Sequence, residues 1–353
     1  MGVARVSRQE WRERTEARVE LAHRVLVEQV EKLQSGDDWR RYLEFQARLH
    51  SYSPRNVTLL AVQHARAYAE GRVWAPEVSQ VAGFNTWLAL GRSVDKGQKG
   101  FAVLAPVRYA QRVAVDGEGR ARTLDRREQP EAGETLARRQ ALRGFKVEFV
   151  FDVSQTSGAE VPTPPRPKLL AGEAPVGLGA AVLGLIEDLG YRVDTVGDAA
   201  AIGGANGVTD WTARTVLIRS DMDDSAMVKT LLHEASHCLL HADPPGRFFP
   251  RALKEVEAES TAFVVAAAHG MATDQYSFPY VAAWAGEDGA KVLLATQDRV
   301  ARVARQIIEA SPAPHTGGGR VPGAEVALAA QRERRAELDH RLEGPSPEPL
   351  EVW

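Results

Sequence analysis

The sequence predicts an α+β protein of two domains, and three observations predict it. The chain opens with three segments of helical apolar periodicity, then runs into strands that alternate apolar and polar residues. A proline-rich stretch separates these from a second series of helices and strands. The 353 residues exceed the usual span of one domain, and an apolar content of 44% suffices for two ordinary cores.

The elements follow in order. Ser7-Arg8-Gln9-Glu10 has the form of a capping box, and Ala22, Leu26, Val30 and Leu33 continue a helical stripe towards Gly36. A second helix begins near Asp37 or Asp38 and carries Trp39, Tyr42, Leu43 and Phe45. Ser53 followed by Pro54 reads as an N-cap with proline at the first helical position. Val57, Leu60, His64 and Tyr68 then share a face, and Gly71 closes the helix. Residues 101–107 read as a strand, whereas 109–143 are rich in Arg and Glu and look like a surface insertion or a long hairpin. Phe145, Val147, Phe149, Phe151 and Val153 alternate with polar residues, the pattern of a half-buried strand.

Prolines 162, 164, 165, 167 and 175 mark a stiff linker. Beyond it, Val182, Leu183, Ile186 and Leu189 form a helical stripe that ends at Gly190. The expected division is therefore 1–158, a linker at 159–175, a second domain at 176–310 and a mostly disordered tail at 311–353. A helix around 323–342 is the exception expected within the Pro-, Gly- and charge-rich tail.

Charge is unevenly spread. Residues 1–170 hold 28 Lys/Arg against 21 Asp/Glu, a net of +7, and the remaining 16 basic and 26 acidic residues give −10. A basic first half favours an anionic partner such as nucleic acid. One cysteine excludes internal disulfides and suits a reducing compartment. No apolar run approaches membrane-spanning length and no signal-peptide pattern opens the chain, so a cytoplasmic location without membrane partners is expected.

His233-Glu234-Ala235-Ser236-His237 is the most informative motif. A strand read at 212–220 precedes it, and Asp221, Asp223, Asp224 and Ser225 offer helix-capping chemistry between the two. On a helix, positions i and i+4 stack, so His233 and His237 can aim both imidazoles at one ion, with Glu234 one step round as a general base. Zn2+ is the cofactor this predicts, and it needs a third protein ligand and an open position for water, whose pKa it lowers towards about 7. The plain alternative is a pair of core histidines. Downstream, Glu255 and Glu259 share a helical face while Glu257 points elsewhere. The spacing resembles that of glutamate-ligated zinc peptidases. That resemblance implies Glu255 as the ligand and Glu259 as the partner orienting the first histidine, with the reverse assignment open. His241 extends the series to i+8 and reads as structural or as a support to the ligands. Tyr276, downstream in Tyr-Ser-Phe-Pro-Tyr, is a candidate transition-state stabiliser, with packing as its other role.

Taken together, these segments resemble the ArdC-type antirestriction family. The matching residues are Tyr52-Ser53 with Asn56, Gly83-Phe84 with Trp87, Gly91-Arg92 with Lys96-Gly97 and Lys99-Gly100, and the run from Val150 to Thr156. The second half resembles the ImmA/IrrE group of zinc peptidases through its HEASH motif and Glu-rich helix. The resemblance spans roughly residues 7–305 and implies an N-terminal α+β domain that binds single-stranded DNA joined to a C-terminal zincin-like metallopeptidase domain. Protection of incoming mobile DNA and hydrolysis of a protein or peptide substrate are the functions it implies. Single strands are held by cations along the phosphates and by aromatic faces under the bases. Tyr52, Arg55, Asn56, Trp87, Arg92, Lys96 and Lys99 are the candidates for that interface, with Trp74 and Phe84 as further stacking surfaces. Two alternatives stay open: a regulatory protease that cleaves a repressor, and a DNA-binding protein whose zinc is only structural.

Overall fold

The computed structural model describes residues 8–31, 33, 35–161, 172–242, 251–274, 276, 278 and 289–343. Ser7 and the prolines from 162 to 167, to which the sequence assigns a cap and a linker, lie outside them. The chain divides into two compact units: residues 1–25 with 102–149, and residues 26–101 with 150–353.

The first unit holds the start of α1 (Arg8–Glu31) and a long hairpin built from β3 (Phe101–Val115) and β5 (Thr135–Asp152). A short strand β4 (Ala121–Thr123) pairs antiparallel with β3, Val113 opposite Thr123. Residues 109–143 are thus the far end of this hairpin. Gly119 takes a positive φ of 79° in the tight turn that closes from Asp116 to Arg120, a conformation glycine adopts without strain. The Arg122 guanidinium binds Glu134 through two 2.8 Å bonds and also reaches Glu128 and Glu131. Ion pairs therefore organise a ribbon end that has little apolar core.

The second unit contains the remaining elements. Helix α2 (Gly36–Arg48) starts at a capping box formed by Ser35 and Asp38, and α3 (Pro54–Ala69) at Ser53, whose side chain accepts from Asn56 N–H. Strand β1 (Val81–Gly83) pairs with the end of β5, and α4 (Phe84–Ala89) leads to β2 (Arg92–Val94), which pairs with β6 (Thr156–Gly158). Helix α5 (Leu178–Asp188) precedes a three-stranded sheet ordered β7 (Arg192–Val196), β9 (Thr215–Arg219), β8 (Gly207–Asp210). Strand β9 runs parallel to β7 and antiparallel to β8, which leaves β8 at the edge.

Val216 and Ile218 of β9 are buried, as the sequence pattern requires. The helices α6 (Asp224–His241), α7 (Arg251–Ala268) and α8 (Gly289–Ala310) pack with α5 and α2 into the main core. Ala258, Ala262, Phe263, Val264 and Val265 are fully buried along α7. Trp39 of α2 is fully buried too, and its indole N–H donates to Ser260 Oγ of α7 at 2.8 Å.

The segment after residue 310 departs from the sequence expectation. His269 and His50 face the carbonyls of Pro312 and Thr316, Ser51 N–H donates to Gly318 O, and Val81 N–H to Gly319 O. Gly319 has a φ of 78°, and a Cβ there would meet Leu49 and the Tyr52 ring. Val321 is buried with Ala82 and Trp87, and α9 (Ala324–Glu343) follows. Low apolar content hides this docking because polar contacts, most of them made by the segment's backbone, hold it as well as the one buried Val321.

Candidate metal centre

Helix α6 begins at Asp223, whose carboxylate accepts from Ala226 N–H. It is buried on most sides, so its polar residues need specific partners. His233, His237 and Glu255 bring three potential ligand atoms together across α6 and α7. His233 Nε2 and His237 Nε2 are 3.1 Å apart, and Glu255 Oε2 lies 3.5 and 3.7 Å from them. Ligands at about 2.0–2.1 Å from a tetrahedral zinc stand about 3.3–3.4 Å from one another, so the three atoms fit such an ion. Two imidazoles and a carboxylate are also a suitable donor set for it.

Electrostatics agree. Burial acts to lower the His233 pKa, but bonds to Glu255 and Glu259 and the charge of Glu234 raise it to about 10. Hydrogen bonds from His233 and His237 hold the Glu255 carboxyl well below the usual carboxylate range. The surrounding carboxylates favour positive charge at His233.

Glu259 Oε2 lies 3.1 Å from His233 Nδ1, on the far side of that ring from Glu255, whose Oε2 faces Nε2 of both histidines. His237 Nδ1 faces His241 Nδ1 at 2.9 Å, and Trp211 N–H donates to His237 O at 3.4 Å. His241 Nε2 is 3.1 Å from Glu257 Oε2, and Glu257 Oε1 accepts from Arg299 Nε of α8 at 2.6 Å. Burial, the larger influence, lowers the His241 pKa against the raising effect of Glu257. Glu257, which sequence spacing turned away from the other two glutamates, is buried and belongs to this chain of contacts. The i, i+4, i+8 run of His233, His237 and His241 was the one sequence signal that pointed to it.

Glu234 is buried, and Thr209 Oγ1 on β8 donates to its Oε2 at 2.6 Å. A Cβ at Gly207 would come within 2.9 Å of Glu234 Oε1, so only glycine lets this carboxylate lie against the edge strand. A cleft of about 890 Å³ is lined by His233, Glu234, His237, Glu255 and residues 205–209 of the β8 edge. Tyr276 lines it as well. Its hydroxyl is buried with no hydrogen-bond partner among the described residues, and burial pushes its pKa well up. Lys229, Arg251 and Lys254 add positive charge to the lining.

The residues assigned to a nucleic-acid interface are placed less uniformly. Lys96 and Lys99 are exposed. Arg92 is half-buried and binds Thr156 Oγ1 at 2.8 Å and the carbonyls of Thr156, Gly158 and Ala159. Arg55 approaches Asp298 at 3.9 Å, Asn56 is nearly buried, and the Tyr52 hydroxyl donates to Val81 O. Trp87 is a correction to the sequence reading. Its ring is fully buried and its N–H donates to Phe151 O, so it packs a core and presents no face to a base. Trp74 and Phe84 are exposed instead. In the first unit, Tyr109, Phe145 and Phe149 are exposed on the hairpin, and so are Arg138, Arg139, Arg143 and Lys146. The sequence reading took residues 109–143 for a variable insertion and the later alternation for burial on one face, and so missed these.

Comparison with known proteins places part of the chain. Residues 17–147 match the model of the N-terminal domain of anti-restriction factor ArdC. An uncharacterized protein of Bacillus anthracis is 25% identical over 284 residues, covering 75% of this chain. The chain spans 46% of the length of that relative. Crystal structures of the antirestriction ArdC protein from the R388 plasmid, metal-free and Mn(II)-bound, align with TM-scores of 0.43. They are 19% and 20% identical to it, and each alignment covers 73% of this chain and 85% or 84% of the other. Over residues 17–147, then, the chain is similar to the N-terminal domain of the anti-restriction factor ArdC.

Proposed function

We propose that this chain is an ArdC-type antirestriction protein that joins single-stranded-DNA binding to a zinc-dependent peptidase centre, and that it protects incoming mobile DNA. The observation that carries the peptidase reading is the triangle of His233 Nε2, His237 Nε2 and Glu255 Oε2 with Glu234 beside it in an open cleft. When bound, zinc would polarise a peptide carbonyl and acidify a water.

The chain's own residues do the rest. Glu234, fixed by Thr209 Oγ1, receives the proton of the attacking water at its carboxylate and returns it to the leaving amine. Tyr276 stays protonated in its buried place and can donate its free O–H to the oxygen on which negative charge develops. The edge strand β8 offers unpaired backbone groups beside the metal ligands, along which an extended peptide can lie.

The DNA reading rests on the family match of residues 17–147 and on the exposed aromatics and cations of the hairpin. Base–aromatic stacking contributes about 1–3 kcal/mol per base, so Tyr109, Phe145 and Phe149 suit this role better than the buried Trp87.

The test is Glu234→Gln in a restriction-proficient host challenged with unmodified plasmid DNA. The variant is expected to bind zinc as the wild type does, to lose hydrolysis of a casein-derived peptide library, and to lose protection. Full protection by a zinc-loaded Glu234→Gln would overturn the peptidase reading and leave the DNA-binding reading in place.

A further inference from the structure

We propose that Lys229, Arg251 and Lys254 make the cleft selective for peptides that carry acidic side chains on both sides of the bond to be cut. This rests on the reading of the cleft as a peptidase centre and names the substrate class of that centre.

Helix geometry sets the three cations along the cleft. Lys229, His233 and His237 stand at i, i+4 and i+8 on α6, along one side of the helix. Arg251, Glu255 and Glu259 repeat that spacing on α7. The earlier histidine, His233, meets the later acid, Glu259, and His237 meets Glu255, so the helices run in opposite directions here. Lys229 therefore lies one turn beyond His233 at one end of the His233, His237 and Glu255 triangle, and Arg251 one turn beyond Glu255 at the other. Lys254 belongs to the second end: its Nζ is 5.1 Å from the centroid of the Trp211 ring, and Trp211 N–H donates to His237 O. Lys229 Nζ is 5.9 Å from the centroid of the Tyr276 ring. A ring face holds a lysine in place without neutralising it.

The charges of the lining are unequally engaged. Glu234 accepts from Thr209, while Glu255 and Glu259 face the histidines. Among the described residues, none of the three cations forms an ion pair. Lys229 and Lys254 are half-buried, so their charge is screened less than that of a lysine on an open surface. A carboxylate arriving in the cleft would be the partner they lack.

The edge strand gives the occupant its direction. Gly207 lies against Thr230 and Glu234, Thr209 bonds Glu234, and Trp211 reaches His237. Strand β8 thus runs beside α6 from the Lys229 end towards the Lys254 end. A peptide paired with this edge would pass one cation, then the triangle, then the other two. A nucleic-acid strand fits less well, because it has no backbone amides to pair with β8 and its phosphates would meet Glu255 and Glu259.

The test measures binding of fluorescein-labelled peptides by anisotropy to Glu234→Gln in Zn2+-containing buffer. The peptides share an alanine frame and carry Glu, Gln or Lys at alternate positions. The Glu peptide is expected to bind about 10–100-fold more tightly than the Gln peptide, with a preference that shrinks as salt rises. Lys229→Met and Lys254→Met, added singly, should each weaken the Glu peptide about 3–10-fold and leave the Gln peptide, the Tm and the zinc content unchanged. Equal binding of the three peptides, or binding of none, would overturn the selectivity. An oligothymidylate that displaces the Glu peptide more readily than unlabelled Glu peptide does would assign the cations to nucleic acid instead. A wild-type protein that binds the Glu peptide through these lysines yet cleaves no member of a Glu-containing peptide library would leave the selectivity standing and overturn the peptidase reading.

Discussion

Glu234 can occupy the floor of the cleft because position 207 has no side chain. Gly207→Ala would place a methyl group 2.8 Å from Thr230 Cγ2 and 2.9 Å from Glu234 Oε1, closer than such atoms approach without movement. Glu234 must swing away, and none of the three atoms nearest the added methyl belongs to His233, His237 or Glu255. Peptide turnover is expected to fall about 10–100-fold with zinc content unchanged, checked by metal analysis beside kinetics.

Cys238 makes a second prediction at this scale. Burial above all raises its pKa from an ordinary 9.0 to about 12. The native thiol is therefore expected to resist iodoacetamide at pH 8 and to react once the protein is unfolded. The unfolded thiol ionises first as pH rises, so this group's contribution to stability declines from pH 9 towards about 12. Alkylation at pH 8 as fast in the native as in the unfolded protein would contradict both statements. The approach of His233 to His237 was legible in the sequence because a helix repeats by a rule: these two and Glu234 stand in fixed relation wherever that helix goes. The roles of Thr209 and Arg299 were not legible, because each depends on which other element packs beside α6.

At the scale of elements, the helix starts followed the local chemistry written in the chain. Asp223 caps α6 and Ser53 caps α3, both from residues recognisable before any packing is known. Asp223→Ala should cost about 1 kcal/mol of stability, read as a drop in denaturation midpoint at unchanged slope. Strand β8 was not read from the sequence. Gly207-Val208-Thr209-Asp210 is short and lacks an apolar alternation, and it is a strand because β9 supplies its hydrogen-bond partners. Phe145 and Phe149 show the opposite error. Their alternation predicted burial on one face, yet both are exposed, since a pattern of apolar residues does not say whether anything covers them.

For the whole molecule, the second unit is assembled from sequence regions far apart, and its last stretch is part of its packing. Val321→Asp would put an unpaired charge beside Trp87 and is expected to cost about 2–4 kcal/mol, measured by thermal or denaturant unfolding. A variant as stable as the wild type would show that this stretch contributes nothing. The charge asymmetry of the sequence leads to a different measurement. Binding of a fluorescent thymine 30-mer should weaken steeply as salt rises, and Phe145→Ala with Phe149→Ala should weaken it at every salt concentration without changing the slope. Unchanged affinity at every salt concentration would show these rings to be bystanders.

The contact between Trp39 and Ser260 has a consequence for synthesis. The two residues are 221 positions apart. At about 5–20 residues per second, the ribosome makes the tryptophan roughly 10–40 s before its serine exists. Throughout that interval the nascent α2 must keep Trp39, Leu43 and their neighbours away from other chains without the helix that will cover them. Whatever shelters an emerging chain in the cell has a long task here, and a slow codon placed before residue 251 would lengthen it.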